Sequence, residues 1–217
     1  MGPSPPGSCR TTEVVPAPDY EGHMGPDGVD QLAPLSSIFQ ETYLSAQPDR
    51  VLVLGCATGN GLEHVNPAVT QTVTGVDVNL QYLGLARQRF MHLGPKLELF
   101  CAEAEKFRAP PANFDLVHAA LIFEYLHPEV LVRRISEWLA PVGTASVVLQ
   151  LPGGDAPPSK STVMQLIARA MKLVPPDELT RLFEHYGLSR KRARTVPLKY
   201  GKSFWVGVFG RSAASGS

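Results

Sequence analysis

The sequence predicts an α/β fold with a doubly wound, mostly parallel seven-stranded sheet and an antiparallel C-terminal strand. Short apolar runs of strand length alternate with helical patterns between residues 51 and 149, which is typical of parallel sheets built from strand–helix–strand units. The last two strand-like runs, 189–198 and 203–211, are separated by too few residues for a parallel crossover, so they must form an antiparallel hairpin. With 217 residues, 44% hydrophobic and 18% charged, the chain suits one globular domain with tails.

The first part of the chain has the composition of a flexible segment. Residues 1–30 contain six prolines among glycines and serines, a composition that buries little surface and resists regular structure. Apolar residues at helical spacing between Leu32 and Leu44 then predict a helix. We therefore expect a flexible N-terminal segment over 1–30, a folded domain over 31–211 and a disordered tail over 212–217.

The first predicted strand leads into a glycine-rich turn. Val51–Leu54 is a continuous apolar run that suits a strand buried on both faces of a parallel sheet. The turn that follows reads Gly-Cys-Ala-Thr-Gly-Asn-Gly over residues 55–61. Glycines at such a turn let the backbone approach a ligand and adopt φ > 0 at low cost. The turn is thus predicted to bind a ligand, and a helix is predicted from about residue 60.

The remaining elements continue the same alternation. Their apolar patterns predict strands at 72–77, 97–101, 114–119 and 144–149, and helices at 79–92, 128–139, 160–173 and 176–186.

Asp77 gives the glycine turn a chemical partner. It ends the second strand 22 residues after Gly55, where a carboxylate can accept hydrogen bonds from both ribose hydroxyls of a nucleoside. Charge-assisted bonds of this kind contribute roughly 1.5–3 kcal/mol each. Dinucleotides and S-adenosylmethionine both fit such a site. The dinucleotide fingerprint G-x-G-x-x-G is not met, because the glycines fall at 55, 59 and 61 with Ala57 between them.

Four segments resemble motifs of the class I S-adenosylmethionine-dependent methyltransferases, small-molecule type, over roughly residues 30 to 211. Residues 51–61 resemble the family's first motif, an acidic residue followed by x-G-x-G-x-G, and 76–79 resemble the second, whose acid holds the ribose. Residues 102–104 take the place of the segment that reads adenine, and 114–121 resemble the strand that passes under the methionine end. The hairpin also matches, because that family inserts an antiparallel strand beside the fifth.

The resemblance implies S-adenosylmethionine as cofactor and an N-terminal segment that closes over it as a lid. The cofactor-binding residues it implies are Tyr20, Gly55, Cys56, Ala57, Gly59, Asp77, Val78, Glu103, Ala104, His118 and Ala119. Tyr20 would contact the cofactor carboxylate or sulfonium from the lid, or alternatively anchor a mobile tail by packing.

Two residues depart from the family pattern within the first motif. Val53 stands where an acidic residue is usual, so backbone carbonyls such as that of Gly55 must orient the cofactor amino group. Ala57 replaces the central glycine and is expected to keep φ < 0, because alanine pays a steric cost elsewhere. These departures leave open a weak or inactive cofactor site.

Methyl transfer from a sulfonium is an in-line displacement, so positioning dominates and a base is needed only for a protonated acceptor. His118 and Glu124 are the candidate bases, because they lie with Tyr125 and His127 at the carboxyl edge of the predicted sheet. The alternative is that His118 is a hydrogen-bonded core residue and that Glu124 and His127 are solvated.

Composition limits the partners. The formal net charge is zero, so no global field draws the protein to nucleic acid or an anionic membrane. Arg190, Lys191, Arg192 and Arg194 invite a nucleic-acid interpretation, but alternating arginines on one face of an edge strand also deter pairing with other chains. We therefore expect a small-molecule acceptor, with nucleic acid unlikely.

Other patterns are informative by what they lack. No apolar run approaches a membrane span, which predicts a cytoplasmic location. The three cysteines lack metal-ligand spacing, so no metal is expected. Three alternative functions stay open: a non-catalytic S-adenosylmethionine-binding partner of a complex, an RNA or protein methyltransferase, and an NAD-dependent oxidoreductase. The sequence does not predict the oligomeric state.

Overall fold

The computed structural model describes residues 15–155, 159 and 161–211. Its strands are β1 (Arg50–Leu54), β2 (Thr72–Asp77), β3 (Leu97–Cys101), β4 (Phe114–Ala120), β5 (Leu139–Gln150), β6 (Leu188–Pro197) and β7 (Ser203–Arg211). Its α-helices are α1 (Ala17–Met24), α2 (Leu32–Ala46), α3 (Leu80–Arg89), α4 (Pro128–Trp138), α5 (Thr162–Ala170) and α6 (Pro176–His185).

The seven strands form one sheet in the order β3-β2-β1-β4-β5-β7-β6. The first five strands are parallel, and β7 is antiparallel both to β5 and to β6. The predicted fold class and the C-terminal hairpin are therefore confirmed.

Two apolar layers cover the sheet because both faces of its central strands are buried. On one face, Val51 and Val53 of β1 pack with Phe39 and Tyr43 of α2. On the other face, Leu52 and Leu54 join a larger cluster contributed by α4, α6 and β7. Burial on both faces explains why β1 is a continuous apolar run instead of an alternating one.

The alternation of the arginines in β6 is interrupted by a β-bulge. The register shifts between Arg190, which faces Phe209, and Arg192, which faces Val208. An inserted residue reverses which face the following side chains occupy. Arg190 accordingly reaches Thr180 of α6, whereas Arg192 pairs with Glu41 of α2 on the opposite face. The expectation that the three arginines share one face is wrong.

The helix predicted from about residue 60 is also wrong. A 3-10 helix of three residues, Leu62–His64, replaces it. Gly59 and Gly61 have φ of 93° and 97°, values outside the helical region. Pro67 follows soon after and cannot donate the backbone hydrogen bond that a continuing helix requires. The chain therefore reaches β2 through turns.

Helix α1 lies within the proline-rich segment, whose composition predicts no regular structure. Proline is tolerated in the first turn of a helix because its missing N–H has no intrahelical partner there. Pro16 is the N-cap and Pro18 lies in that first turn. Residues 1–14 of the expected flexible segment and the expected tail 212–217 lie outside the described residues.

Candidate active site

The candidate site lies at the carboxyl ends of β1, β2 and β4. The strand order reverses between β1 and β4, and ligands of open α/β sheets bind at such a switch point. The glycine turn 55–61 and Asp77 meet there, as the sequence predicts.

The turn is shaped by left-handed backbone conformations. Gly55, Ala57 and Gly59 have φ of 66°, 45° and 93°. The N–H groups of Gly55 and Cys56 donate to the carbonyl oxygen of Val76, at 2.8 and 3.2 Å. The expectation that Ala57 keeps φ < 0 is wrong, because the turn places this alanine in the left-handed region at a steric cost.

Asp77 offsets part of that cost. Its Oδ2 atom accepts a hydrogen bond from the backbone N–H of Ala57 at 2.9 Å, and its Oδ1 atom accepts one from Asn79 N–H at 2.8 Å. Burial raises the pKa of the Asp77 carboxyl, while these backbone donors act in the opposite direction. A carboxylate oxygen retains a lone pair after one hydrogen bond. The oriented Asp77 carboxylate therefore still fits the paired hydroxyls of a ribose.

Helix α1 covers this edge. Ala17 of α1 is buried against Ala57 of the turn and Tyr82 of α3, and the ring of Tyr20 lies 5.2 Å from that of Tyr82. Burial and the nearby Asp77 carboxylate raise the pKa of the Tyr20 hydroxyl. Tyr20 thus lies on Tyr82 of α3 and near the Asp77 carboxylate.

The other cofactor candidates divide into two groups. Val78 is 44% exposed at the end of β2, and the carboxylate of Glu103 pairs with Lys106 at 2.9 Å after β3. The side chains of Cys56, Ala104 and Ala119 are buried in the apolar clusters of the sheet. The side chains of these three residues are therefore not accessible to a ligand at this edge.

His118 lies on the α2 side of the sheet instead of at its open edge. The imidazole is 4% exposed and packs edge-on against Phe39, with 5.2 Å between ring centroids. Burial lowers the pKa of His118 to about 4, so the ring is neutral at pH 7. Its Nδ1 atom has no partner among the described residues. This position favours a packing role for His118.

Glu124 occupies the notch beyond the ends of β4 and β5. It is 2% exposed, and its Oε1 atom accepts a hydrogen bond from the backbone N–H of Gln150 at 2.8 Å. The Oε2 atom is buried with no partner in the part of the chain that the structure describes. Burial raises the pKa of Glu124 to about 7. The alternative of a solvated Glu124 is therefore wrong, whereas the side chain of His127 is 84% exposed.

Some residues of the site were not identified from the sequence. Asn79 accepts hydrogen bonds from Gln81 and Tyr82 N–H as the N-cap of α3, and an asparagine between a strand and a helical pattern is a signal that could have found it. Glu21 contacts both Thr58 of the turn and Arg89 at the end of α3. No local signal identifies them, because Glu21 and Arg89 are 68 positions apart.

The described residues contain neither a cluster of metal ligands nor a helix that could span a membrane. No group of three or more histidine, cysteine, aspartate or glutamate side chains in 15–155, 159 and 161–211 is arranged to hold a metal ion. None of the helices in these ranges is long and apolar enough to cross a bilayer.

Comparison with known proteins points to one family. Residues 51–143 match the family model of the methyltransferase domain. No curated protein sequence matches the chain.

Solved structures with the same fold include several methyltransferases. The 1,6-didemethyltoxoflavin-N1-methyltransferase of Burkholderia thailandensis is 18% identical, with a TM-score of 0.67, and 91% of this chain and 85% of that chain are covered. The N-methyltransferase NodS of Bradyrhizobium japonicum, in complex with S-adenosylhomocysteine, is 15% identical, with a TM-score of 0.65 and coverage of 83% and 87%. The [4+2]-cyclase SpnF is 15% identical, with a TM-score of 0.67 and coverage of 83% and 82%.

The family match and the strand order together confirm the resemblance to class I methyltransferases that the motifs predicted. The identities of 15–18% establish the fold alone. SpnF illustrates that limit, because it is a cyclase with the same fold, and activity must be argued from the site.

Proposed function

We propose that this chain, which carries a methyltransferase domain over residues 51–143 within a class I methyltransferase fold, transfers a methyl group from S-adenosylmethionine to a small-molecule acceptor. The observation that carries the proposal is the joined geometry of turn and acid. The Ala57 N–H donates to Asp77 Oδ2 at 2.9 Å at the strand-end switch point, so the turn and the ribose-binding carboxylate form one preorganised unit.

S-adenosylmethionine supplies an electrophilic methyl group when it is bound. The residues that would hold it are those already at the strand edge: Asp77 at the ribose, the backbone of turn 55–59 along the methionine end, and Tyr20 of the lid above them. Val78 and Glu103 lie where the strands β2 and β3 end, which suits an adenine ring. The chain itself contributes orientation and exclusion of water, the terms that dominate an in-line displacement.

A small-molecule acceptor agrees with the surroundings of the site. The structural neighbour from Burkholderia thailandensis has a small molecule, 1,6-didemethyltoxoflavin, bound with S-adenosylhomocysteine. Two arginines of the outer strand β6, Arg192 and Arg194, already pair with Glu41 of α2. These positive charges are therefore partly neutralised, which disfavours a nucleic-acid acceptor.

We propose Glu124 as the general base when the group to be methylated carries a proton. A base works best when its pKa is near the working pH, and burial raises the pKa of Glu124 to about 7. Its Oε2 atom has no partner in the described ranges, so it retains capacity for a donor. His118 is not proposed as a base, because Phe39 covers its ring within the core.

Isothermal titration calorimetry with S-adenosylmethionine and S-adenosylhomocysteine tests the proposal. We expect the protein to bind both compounds, and we expect Asp77→Ala to weaken binding at least tenfold, because two charge-assisted hydrogen bonds are lost. Asp19→Ala removes an exposed carboxylate of α1 and is the matched control, with unchanged affinity. Equal affinity of wild type and Asp77→Ala contradicts the ribose assignment.

A non-catalytic cofactor-binding partner of a complex is the second candidate. Val53 favours it, because this residue is 5% exposed within the apolar cluster under α2 and brings no carboxylate to the cofactor amino group. Binding of S-adenosylmethionine without formation of S-adenosylhomocysteine across libraries of phenols, amines and heterocycles supports this candidate over the enzyme. Turnover of any of these acceptors removes it.

A further inference from the structure

One carboxylate fastens helix α1 to the glycine turn. The Oε1 atom of Glu21 accepts a hydrogen bond from the Thr58 hydroxyl at 2.6 Å. The guanidinium of Arg89 donates to both carboxylate oxygens of Glu21, with Nη2 at 3.0 Å from Oε2. The lid helix, the turn and the last residue of α3 therefore meet at a single side chain.

The two contacts differ in their access to water. Thr58 is 3% exposed, so its hydrogen bond to Glu21 is shielded, whereas the Arg89 side chain is 44% exposed. The hydrogen bond from Arg89 lowers the pKa of Glu21 despite partial burial, so the carboxyl is charged at pH 7. A two-pronged contact between arginine and carboxylate is one of the stronger hydrogen-bonded pairs in proteins.

The position of Thr58 connects this contact to the nucleoside site. Thr58 lies between Ala57 and Gly59, two of the left-handed residues of the turn, and the Ala57 N–H donates to Asp77. Tyr20 precedes Glu21 in α1, and its ring lies beside that of Tyr82. It is also close enough to Asp77 for this carboxylate to raise the pKa of the Tyr20 hydroxyl. Release of Glu21 would free both the lid and the turn.

We propose that Glu21 is a positioning residue that couples closure of α1 over the nucleoside site to the conformation of the glycine turn. The cofactor then enters and leaves when Glu21 separates from Thr58 and Arg89, and the closed state slows product release. The identity of the ligand rests on the proposed function, but the latch formed by Glu21, Thr58 and Arg89 is tested without any ligand.

Stopped-flow measurement of S-adenosylhomocysteine dissociation tests the coupling. We expect Glu21→Ala to raise the dissociation rate about tenfold, because it removes a shielded charge-assisted hydrogen bond. Asp19→Asn changes an exposed acid on the same helix and should leave the rate within twofold of wild type. The double variant Glu21→Arg with Arg89→Glu restores the ion pair but not the carboxylate acceptor for Thr58, and should recover part of the wild-type rate.

Ionic strength separates the latch from a general structural effect. Salt screens an ion pair that is partly exposed. The wild-type dissociation rate should therefore rise between about 0.05 and 0.5 M KCl, because the Debye length, about 10 Å at 0.1 M, shortens as salt is added. Glu21→Gln keeps an acceptor for Thr58 but has no charge, and its rate should be insensitive to salt. Equal salt dependence in both proteins overturns the proposed role of the ion pair.

Hydrogen exchange on the ligand-free protein provides the independent arm. In Glu21→Ala the amides of α1 should exchange faster than in wild type, while those of α4, on the opposite face, stay unchanged. If the wild type binds no S-adenosylhomocysteine, the proposed function fails and this arm still decides the latch. If α1 exchanges alike in Glu21→Ala, Asp19→Asn and wild type, the latch is absent.

Discussion

The two halves of the candidate site are built differently. On the cofactor side, both carboxylate oxygens of Asp77 accept backbone hydrogen bonds, and the turn donates to Asp77 and to Val76. On the acceptor side, Glu124 Oε2 is buried with no partner among the described residues, and so is His118 Nδ1 in the neighbouring core under α2. A buried polar atom without a partner costs free energy of order 1–3 kcal/mol. The cofactor side is thus preorganised, whereas the acceptor side holds unused hydrogen-bonding capacity.

This difference indicates that cofactor binding and catalysis can be altered by substitutions at different residues. A fully hydrogen-bonded turn tolerates little change, because each substitution leaves a partner unpaired or a strained backbone unsupported. Side chains with unused capacity in the acceptor half can be replaced by apolar groups at small cost. Four substitutions test this contrast.

Gly59→Ala should have the largest effect, on the preorganised side. Gly59 has φ of 93°, and a Cβ atom there would lie 2.5 Å from Cε2 of Phe90. The left-handed conformation and the displaced ring together should lower the free energy of unfolding by about 2–4 kcal/mol and abolish detectable S-adenosylhomocysteine binding. Thermal and urea denaturation with calorimetry measures both.

Gly84→Ala is the matched control for that change. Gly84 is an exposed glycine within α3, and no atom lies within 4 Å of its added Cβ. Alanine should stabilise the helix by about 0.5–1 kcal/mol. If Gly59→Ala is as stable as wild type, the turn accommodates the added Cβ, and the cofactor side is not more rigidly preorganised than the acceptor side.

Glu124→Gln tests the acceptor side through pH. Burial raises the pKa of Glu124 to about 7 in the folded protein, above its value near 4.3 in the unfolded chain. The native state then binds the extra proton between these values, so the unfolding free energy falls as pH rises from about 4 to 7. Glutamine cannot ionise, and the variant should be more stable than wild type at pH 8 by about 2–3 kcal/mol.

The measurement is the difference between the two proteins across pH, since buried groups with the opposite trend cancel in it. His118 is such a group, because burial lowers its pKa to about 4 and its contribution rises with pH from 4 to 6.5. Glu98→Gln, at an exposed position of β3, serves as control. A Glu124→Gln variant that parallels wild type from pH 5 to 8 means that Glu124 is ionised within its notch at neutral pH.

His118→Leu should have a smaller effect. Leucine removes the unpartnered Nδ1 atom but also the edge-on contact with Phe39, and these terms oppose each other. We expect the unfolding free energy to change by no more than about 1 kcal/mol, with S-adenosylhomocysteine affinity unchanged. A loss of methyl transfer at normal cofactor affinity returns His118 to the list of candidate bases.

The sequence predicts the features that depend on residues close together in the chain. The apolar run before Gly55, the spacing to Asp77 and the short link before β7 are features of neighbouring residues, and the structure places all three as expected. The sheet and the cofactor turn follow from them. Family resemblance added the identity of the ligand, which the spacing alone left open.

What the sequence does not predict depends on distant packing. Whether His118 faces the open edge is decided by α2, through Phe39 of another part of the chain. Glu21 and Arg89 each lie in a segment whose sequence also fits a solvent-exposed surface, so neither segment predicts their contact. The helix predicted after residue 60 is absent for a local reason, because Gly59 and Gly61 adopt positive φ.

Ala57→Gly should have the smallest effect and bears directly on the cofactor side. Alanine at φ of 45° is strained, and glycine relieves about 1 kcal/mol of that strain. Glycine also loses the Ala57 methyl, which packs against Ala17 and Tyr82, and gains freedom in the unfolded chain. The net change in unfolding free energy should stay within about 1 kcal/mol. A loss above about 2 kcal/mol in thermal denaturation means that the methyl packing under α1, and not the hydrogen bond to Asp77, holds the turn in place.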